Sequence, residues 1–141
     1  MTNPPKARGT RAESAVVKHF LAARIPAHRT ALSGANDVGD VWVCGGRMVI
    51  EVKSRASMPS HAEIRNWYNE AQSEAGRVAQ CDIGVLIVKR PGSGKVGNWW
   101  AYMDHAEWTW VARAVDVGPP FPMMLTVDTL IDQLVRLGWD R

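Results

Sequence analysis

The chain has 141 residues, of which 46% are hydrophobic and 22% charged, and its net charge is +3 at pH 7. That length suits one folded core and is too short for two, and no apolar run approaches the roughly 20 residues a membrane span requires. The four histidines show no metal-ligand spacing with one another or with Cys44 and Cys81, which argues against zinc; the two thiols are read as reduced, buried side chains of a cytoplasmic protein.

Residues 1–9 read as a flexible basic arm with Lys6 and Arg8, polar and without the apolar segment of a secretory signal. From Thr10 to about Ala23, the spacing of Ala12, Val16, Phe20 and Ala23 predicts a helix with one buried stripe. Thr10-Arg-Ala-Glu13 also matches a capping box, in which Glu13 reaches back to the Thr10 backbone N–H. A short strand carrying Arg29 and a polar loop over 33–39 follow. Residues 41–44 and 48–52 are rich in β-branched and aromatic side chains and flank Gly45-Gly46, the pattern of a tight antiparallel hairpin with a two-residue turn.

A second capping box, Ser60 to Glu63, opens a helix whose stripe is Ile64, Trp67, Tyr68, Ala71, Ala75 and Val78, with Glu70, Gln72 and Glu74 off it. Residues 83–88 form a continuous apolar run, as expected of a buried central strand. They lead into a basic loop, Lys89-Arg90-Pro-Gly-Ser-Gly-Lys95. Gly94-Lys95 does not make a phosphate-binding loop, because Lys89 stands where that motif has its first glycine and no Ser or Thr follows Lys95; no nucleotide cofactor is expected. Residues 98–103 read as the partner strand with Trp99 and Trp100 on opposite faces, 104–107 as a turn, and 108–113 as another strand. The Gly-Pro-Pro-Phe-Pro segment at 118–122 reads as a loop. A last helix, capped by Thr126 or Asp128, packs Leu130, Ile131, Leu134 and Leu137 inward and stops at Gly138.

The chemistry is concentrated in residues 33–55. Asp40 abuts the first strand of the hairpin, and Glu51 and Lys53 share one face of the second, about 6.5 Å apart, while Ile50 and Val52 face the other way. A hairpin of this length can fold Asp40 back beside Glu51. Two carboxylates at one point make an oxygen-only site suited to Mg²⁺ or Mn²⁺, and the lysine offers a positive charge for an attacking water or a phosphate oxygen. The competing reading is an ordinary Glu-x-Lys ion pair on a solvated face. Asp37 competes with Asp40 for the ligand role and is otherwise a turn residue. Three basic clusters, Lys6, Arg8 and Arg11, then Lys53 and Arg55, then Lys89, Arg90 and Lys95, can line one DNA-binding face or be scattered solubilising charge.

Taken in order, Gly9, Arg11-Ala12-Glu13, Arg29, Ser33-Gly34, Gly39-Asp40 and Glu51-Val52-Lys53-Ser54-Arg55 resemble the PD-(D/E)XK nuclease superfamily, and within it the archaeal-type Holliday-junction resolvases that also occur in phages. The resemblance covers roughly the first half of the chain, and Gly39 stands where the superfamily name has proline. It implies an α/β, restriction-endonuclease-like three-layer fold, a central mixed sheet of three or four strands flanked by helices, with residues 1–141 as a single nuclease domain. It also implies that Asp40, Glu51 and the Val52 backbone carbonyl hold Mg²⁺, for which Mn²⁺ can substitute. Glu13, if it is not only a helix cap, would complete the metal shell directly or through water. Lys53 would position or help deprotonate the attacking water, and the products would be a 5′-phosphate and a 3′-hydroxyl. Arg29, Ser33 and Ser54 would join the DNA contacts, although Ser33 can equally well cap its loop.

The expected activity is a metal-dependent, structure-selective endonuclease that resolves four-way junctions by paired symmetric cuts. One chain of this size holds one site, so a two-fold homodimer is expected, in the cytoplasm of a bacterial, archaeal or phage-infected cell and with no membrane association. The alternatives are the same chemistry on duplex, nicked or single-stranded DNA in phage replication, repair or defence, and a non-catalytic DNA-binding accessory.

Overall fold

Helix α1 (Pro4–Ala22) carries Ala12, Val16 and Phe20 on one side, and all three are buried in the main core. The structure, a computed structural model, describes residues 4–30, 37–112 and 122–141. Because α1 begins at Pro4, residues 4–9 are helical and do not form the arm expected from their composition. Proline suits this first turn, where its missing N–H is not needed and its fixed φ is already helical. Thr10 therefore lies inside the helix, the Thr10–Glu13 capping box does not form, and the Glu13 carboxylate is available to bond elsewhere.

Strands β1 (Ala27–Arg29), β2 (Val41–Val43) and β3 (Met48–Lys53) run antiparallel in succession, with Val43 opposite Met48. The reversal between β2 and β3 occupies residues 44–47, two more than expected. Cys44, Gly45 and Gly46 all take positive φ there, at 51°, 71° and 98°. Helix α2 (His61–Ala75) opens on the expected box, in which Ser60 accepts from the Glu63 N–H and Glu63 accepts from the Ser60 N–H. It returns the chain to β4 (Ile83–Val88), which lies parallel to β3 with Glu51 opposite Leu86 and Lys53 opposite Val88.

Strand β5 (Trp100–Asp104) pairs antiparallel with β4, and Trp99 is buried while Trp100 is half-exposed, as the alternation requires. The next segment departs from expectation. Residues 105–111 form helix α3 (His105–Val111) where a turn and a strand were predicted. The β-prone Trp-Thr-Trp-Val run is overridden by Asp104, whose side chain accepts from the Glu107 N–H and starts the helix. Strand β6 (Pro122–Thr126) was not foreseen, because a proline-rich approach argues against regular structure; Pro122 is the first residue of an edge strand, where a missing donor is tolerated. Thr126 caps α4 (Val127–Arg136), and Gly138 with φ of 86° follows its end. Among the described residues the sheet thus has six strands, in the order β1-β2-β3-β4-β5-β6, rather than three or four.

Three layers result. Met48, Ile50 and Val52 of β3, with Val85 and Ile87 of β4, face α1 and the Leu130, Ile131 and Leu134 stripe of α4. Val49 and Leu86 face the other way, toward Ala71 and Ala75 of α2 and Val78 just beyond it. Cys44 and Cys81 are free thiols, half-buried rather than buried. No described helix is long and apolar enough to cross a membrane.

Gly84 sets how closely α2 approaches the sheet. A Cβ there would lie 2.7 Å from the Ala75 Cβ, and the Gln72 side-chain amide donates to the Gly84 carbonyl at 3.0 Å. We expect Gly84→Ala to lower stability in urea unfolding by about 1–3 kcal/mol, the usual cost of overpacking a tight layer; an unchanged midpoint would show that α2 can lift without penalty.

Candidate metal centre

The site forms where the chain enters β2, beside the C-terminal half of β3. The Asp40 N–H donates to the Ile50 carbonyl at 2.9 Å, and Asp40 Oδ2 accepts from the Val52 N–H at 2.9 Å. The Asp40 carboxylate thus replaces the next rung of the ladder and is held against β3. On an extended strand the N–H and C=O of one residue point to the same edge, so the Val52 carbonyl faces the side that carries Asp40. Gly39 makes the turn possible: its φ is 87°, and a Cβ would sit 2.5 Å from the Val49 Cγ1. Proline, locked near φ of about −65°, cannot take this conformation. Thr30 buttresses the turn, its N–H donating to the Asp40 carbonyl at 2.9 Å and its hydroxyl to the Gly39 carbonyl.

Glu51 projects from β3 into the α2 layer and is only 6% exposed. Lys53 shares its face, with Nζ 3.3 Å from Glu51 Oε1 and 3.6 Å from Glu70 Oε2. Glu13 reaches the same end of the sheet from α1, where its Oε2 accepts from Arg29 Nε at 3.0 Å. Lys6, Glu13, Arg29, Thr30 and Asp40 line one cleft. The site residues Glu13, Asp40, Glu51 and Lys53 therefore converge, and the solvated-face reading of Glu-x-Lys is replaced by a buried one.

Two further acids belong to this cluster. Glu74 of α2 is 3% exposed, and the carboxylate oxygens of Asp37, Glu51 and Glu74 lie within 4.8 Å of one another. The expectation that Glu74 lies off the apolar stripe is corrected: it is buried with Ala71, three residues before it, and Ala75 on the face of α2 that packs on the sheet. A carboxylate inside an apolar stripe was the signal available in the sequence. Asp37 was weighed only against Asp40; it lies with Glu51 and Glu74, where its Oδ1 accepts from the Gly39 N–H at 3.0 Å.

Burial raises the carboxyl groups of Asp40 and Glu51 to about 8. For Asp40 desolvation is the leading cause and the Glu51 charge the next; for Glu51 it is desolvation followed by the hydrogen bond and the charge of Glu74. Glu74 is raised too, mainly by burial. With both carboxylates ionised, Glu51 Oε2 and Glu74 Oε2 are buried with no donor among the described residues. A proton on Glu51 turns that contact into a hydrogen bond to Glu74. Burial alone would lower Lys53, but Glu51, Glu70 and Asp40 outweigh it and hold the ammonium above its ordinary value.

The expected DNA contacts divide. Lys6 lines the cleft, Arg8 is half-buried, and Arg11 and Lys95 are exposed. Arg29 is committed to Glu13, and Arg55 pairs with Glu63. Lys89 and Arg90 lie over the rings of Trp99 and Trp100, at 5.7 and 4.9 Å. The Ser54 hydroxyl is buried with no partner among the described residues, so it does not face a ligand at the surface. Ser33 lies outside the described residues. The Lys89 N–H donates to the Lys53 carbonyl at 2.9 Å, which puts the third basic cluster beside the second.

No protein-family model matches the chain, and a comparison with curated proteins finds no match. Function is therefore argued from the chemistry of the site.

The raised carboxyls give a stability signature. Asp40 and Glu51 hold protons up to about 8 when folded but only to their ordinary 3.8 and 4.5 when unfolded. The folded state binds more protons in between, so their contribution is full below the unfolded values and is lost as pH rises toward 8, at up to about 1.4 kcal/mol per pH unit for each retained proton. In chelator, the thermal midpoint should fall between about pH 5.5 and 8, and Mg²⁺ should restore it at the upper end only. A midpoint flat over that range, or equal rescue at both ends, would contradict the buried-acid assignment.

Proposed function

We propose that this chain is a metal-dependent endonuclease that hydrolyses DNA phosphodiesters at Asp40, Glu51 and Lys53, with four-way junctions as its substrate. The observation that carries this reading is the convergence of two oppositely sourced carboxylates and an ammonium. Asp40 is locked onto β3 by the Val52 N–H, and Lys53 Nζ stands 3.3 Å from Glu51 Oε1, beside a cleft with Lys6 at its wall. The donor set is all oxygen, and a buried Glu51 oxygen without a donor is the kind of atom a hard cation satisfies. Asp40, Glu51 and the Val52 carbonyl would hold Mg²⁺ or Mn²⁺, which supplies charge neutralisation for in-line displacement at phosphorus.

The chain's own groups do the rest. Lys53 keeps its proton beside Glu51 and Glu70, so its first role is to hold a phosphate oxygen or orient the attacking water. Once Glu51 turns to a cation, the attraction that raises Lys53 weakens and its burial favours proton loss, which lets it assist deprotonation. Glu13 and Arg29 shape the opposite wall, and Lys6, Lys53, Lys89 and Arg90 gather positive charge at one end of the sheet, where a polyanion can be drawn in. A single site per chain and two cuts per junction call for a two-fold dimer. Trp110 of α3, 73% exposed, supports such an interface.

The test is Mg²⁺-dependent cleavage of a labelled synthetic four-way junction beside a linear duplex of the same arm sequence, with and without chelator. Paired symmetric nicks in the junction alone are expected. Equal cutting of both would keep the nuclease and discard the junction, and cutting of neither would favour the DNA-binding accessory. Asp40→Asn should abolish cutting while leaving junction binding largely intact, and Lys53→Ala should slow it by roughly 10²–10⁴-fold. Retained cutting by Asp40→Asn would move the ligand role to Asp37. Sedimentation at micromolar concentration should give two chains per particle; a monomer with and without junction DNA would contradict the dimer.

A further inference from the structure

Beside the Asp40 cleft lies a second hollow that the metal chemistry does not use. It is open, has a volume of about 250 Å³, and is lined by His28, Arg29, Thr30, Val38 and Trp42. Arg29 and Thr30 also line the cleft that contains Asp40, so the two hollows share a wall. Thr30 fixes that wall to the site, because its N–H donates to the Asp40 carbonyl at 2.9 Å. Trp42 stands two residues after Asp40, a step over which an extended chain advances roughly 6.5 Å.

The indole of Trp42 is held rigidly. Its Nε1 donates to the Val38 carbonyl at 2.9 Å, its inner part packs against the Val49, Ala75 and Val78 cluster, and a Cβ on Gly46 would lie 3.1 Å from its Cε3. His28, opposite Trp42 in the pairing of β1 with β2, sets its ring 6.0 Å from the indole at 59°. The apolar cluster accounts for the packed part of the indole but not for the hollow in front of it, which leaves Trp42 half-exposed. No carboxylate lines this hollow, whereas Glu13 and Asp40 line the cleft next to it. An aromatic wall with an imidazole and a hydroxyl at its rim suits a planar heterocycle. Pockets for drug-sized ligands hold roughly 300–1,000 Å³, so the smaller volume here matches a single base rather than a base pair.

We propose that the hollow between His28 and Trp42 is a subsite for one unpaired nucleobase of the strand whose phosphate enters the Asp40 cleft. The inference rests on the reading of Asp40, Glu51 and Lys53 as a nuclease centre and deepens it by naming a feature of the substrate, a nucleotide displaced from the duplex beside the bond that is cut. Stacking on Trp42 holds the base without reading its identity, because every base has a π-face and the indole N–H is already committed to Val38. Displacing a base costs least where pairing is already interrupted, so such a subsite favours branched or mismatched DNA over a continuous duplex.

The experiment measures binding of the full chain, in chelator, to a duplex with one unpaired 2-aminopurine, whose fluorescence falls when it stacks. The comparison is the same duplex with an abasic residue at that position, and a parallel assay follows Mg²⁺-dependent cutting of a four-way junction. Wild type should bind the unpaired base about 5- to 100-fold more tightly than the abasic residue, the usual gain per stacked base, and should quench its fluorescence. Trp42→Ala and His28→Ala should each bring that ratio toward one and leave affinity for a fully paired duplex unchanged. His28 is exposed on the outermost strand, so its variant serves if Trp42→Ala fails to fold. Equal binding of the two duplexes by wild type, or a ratio that survives both substitutions, would overturn the subsite, and junction cutting in the parallel assay would leave the nuclease standing. A base-dependent ratio without junction cutting would keep the subsite and overturn the nuclease. No binding of any DNA would overturn both.

Discussion

Burial of Glu51 is the constraint around which the rest of this structure is arranged. β3 is covered on both faces, by α1 and α4 on one side and by α2 on the other, so every side chain it carries must be accommodated in a packed layer. Ionised carboxylates in such a layer are unfavourable by several kcal/mol unless paired. Lys53 offsets part of this at 3.3 Å, but it is shared with Glu70, and Asp40 and Glu74 add like charge from two directions. The fold therefore carries uncompensated negative charge that protonation relieves, and its stability is tied to pH for that reason.

Backbone geometry creates that situation. Gly84 lets α2 sit close enough to the sheet for Glu74 to meet Glu51, since the Cβ of any other residue would lie 2.7 Å from Ala75. Gly39, at φ of 87°, lets the chain enter β2 with the Asp40 carboxylate turned onto the Val52 N–H. Packing and chemistry are thus not separable here. The same close approaches that make the core dense bring the acids together, and loosening either glycine would relax the site as it destabilised the fold.

Several cationic side chains are restrained rather than scattered. Arg47, Lys89 and Arg90 lie over the rings of Trp139, Trp99 and Trp100, and Lys53 and Arg55 flank Trp67. For Lys89 and Arg90 the aromatic faces hold the side chains partly ordered without neutralising them. Arg29, Arg47, Lys53 and Arg55 are also paired with carboxylates within the protein, those of Glu13, Asp82, Glu51 with Glu70, and Glu63.

The sequence by itself determined the α/β class, the hairpin that presents Asp40, Glu51 and Lys53, the Ser60 cap of α2, the buried run of β4 and the cap of α4, because each depends on residues close together in the chain. Alternation is enough to set Glu51 and Lys53 on one face, and local side-chain oxygens are enough to start a helix. Tertiary structure alone decided the rest. Thr10 could not be known to lie inside a helix, nor Glu13 to turn toward Arg29, since both alternatives use the same residues and differ only in what packs beside them. The Trp108–Val111 run was β-prone locally and became helical once Asp104 capped it, and β6 formed through pairing with β5 in spite of its proline. Glu74 met Glu51 across 23 positions of sequence because a helix and a strand fold face to face over Gly84; the apolar stripe around Glu74 signals its burial, but which group it meets is decided by long-range packing.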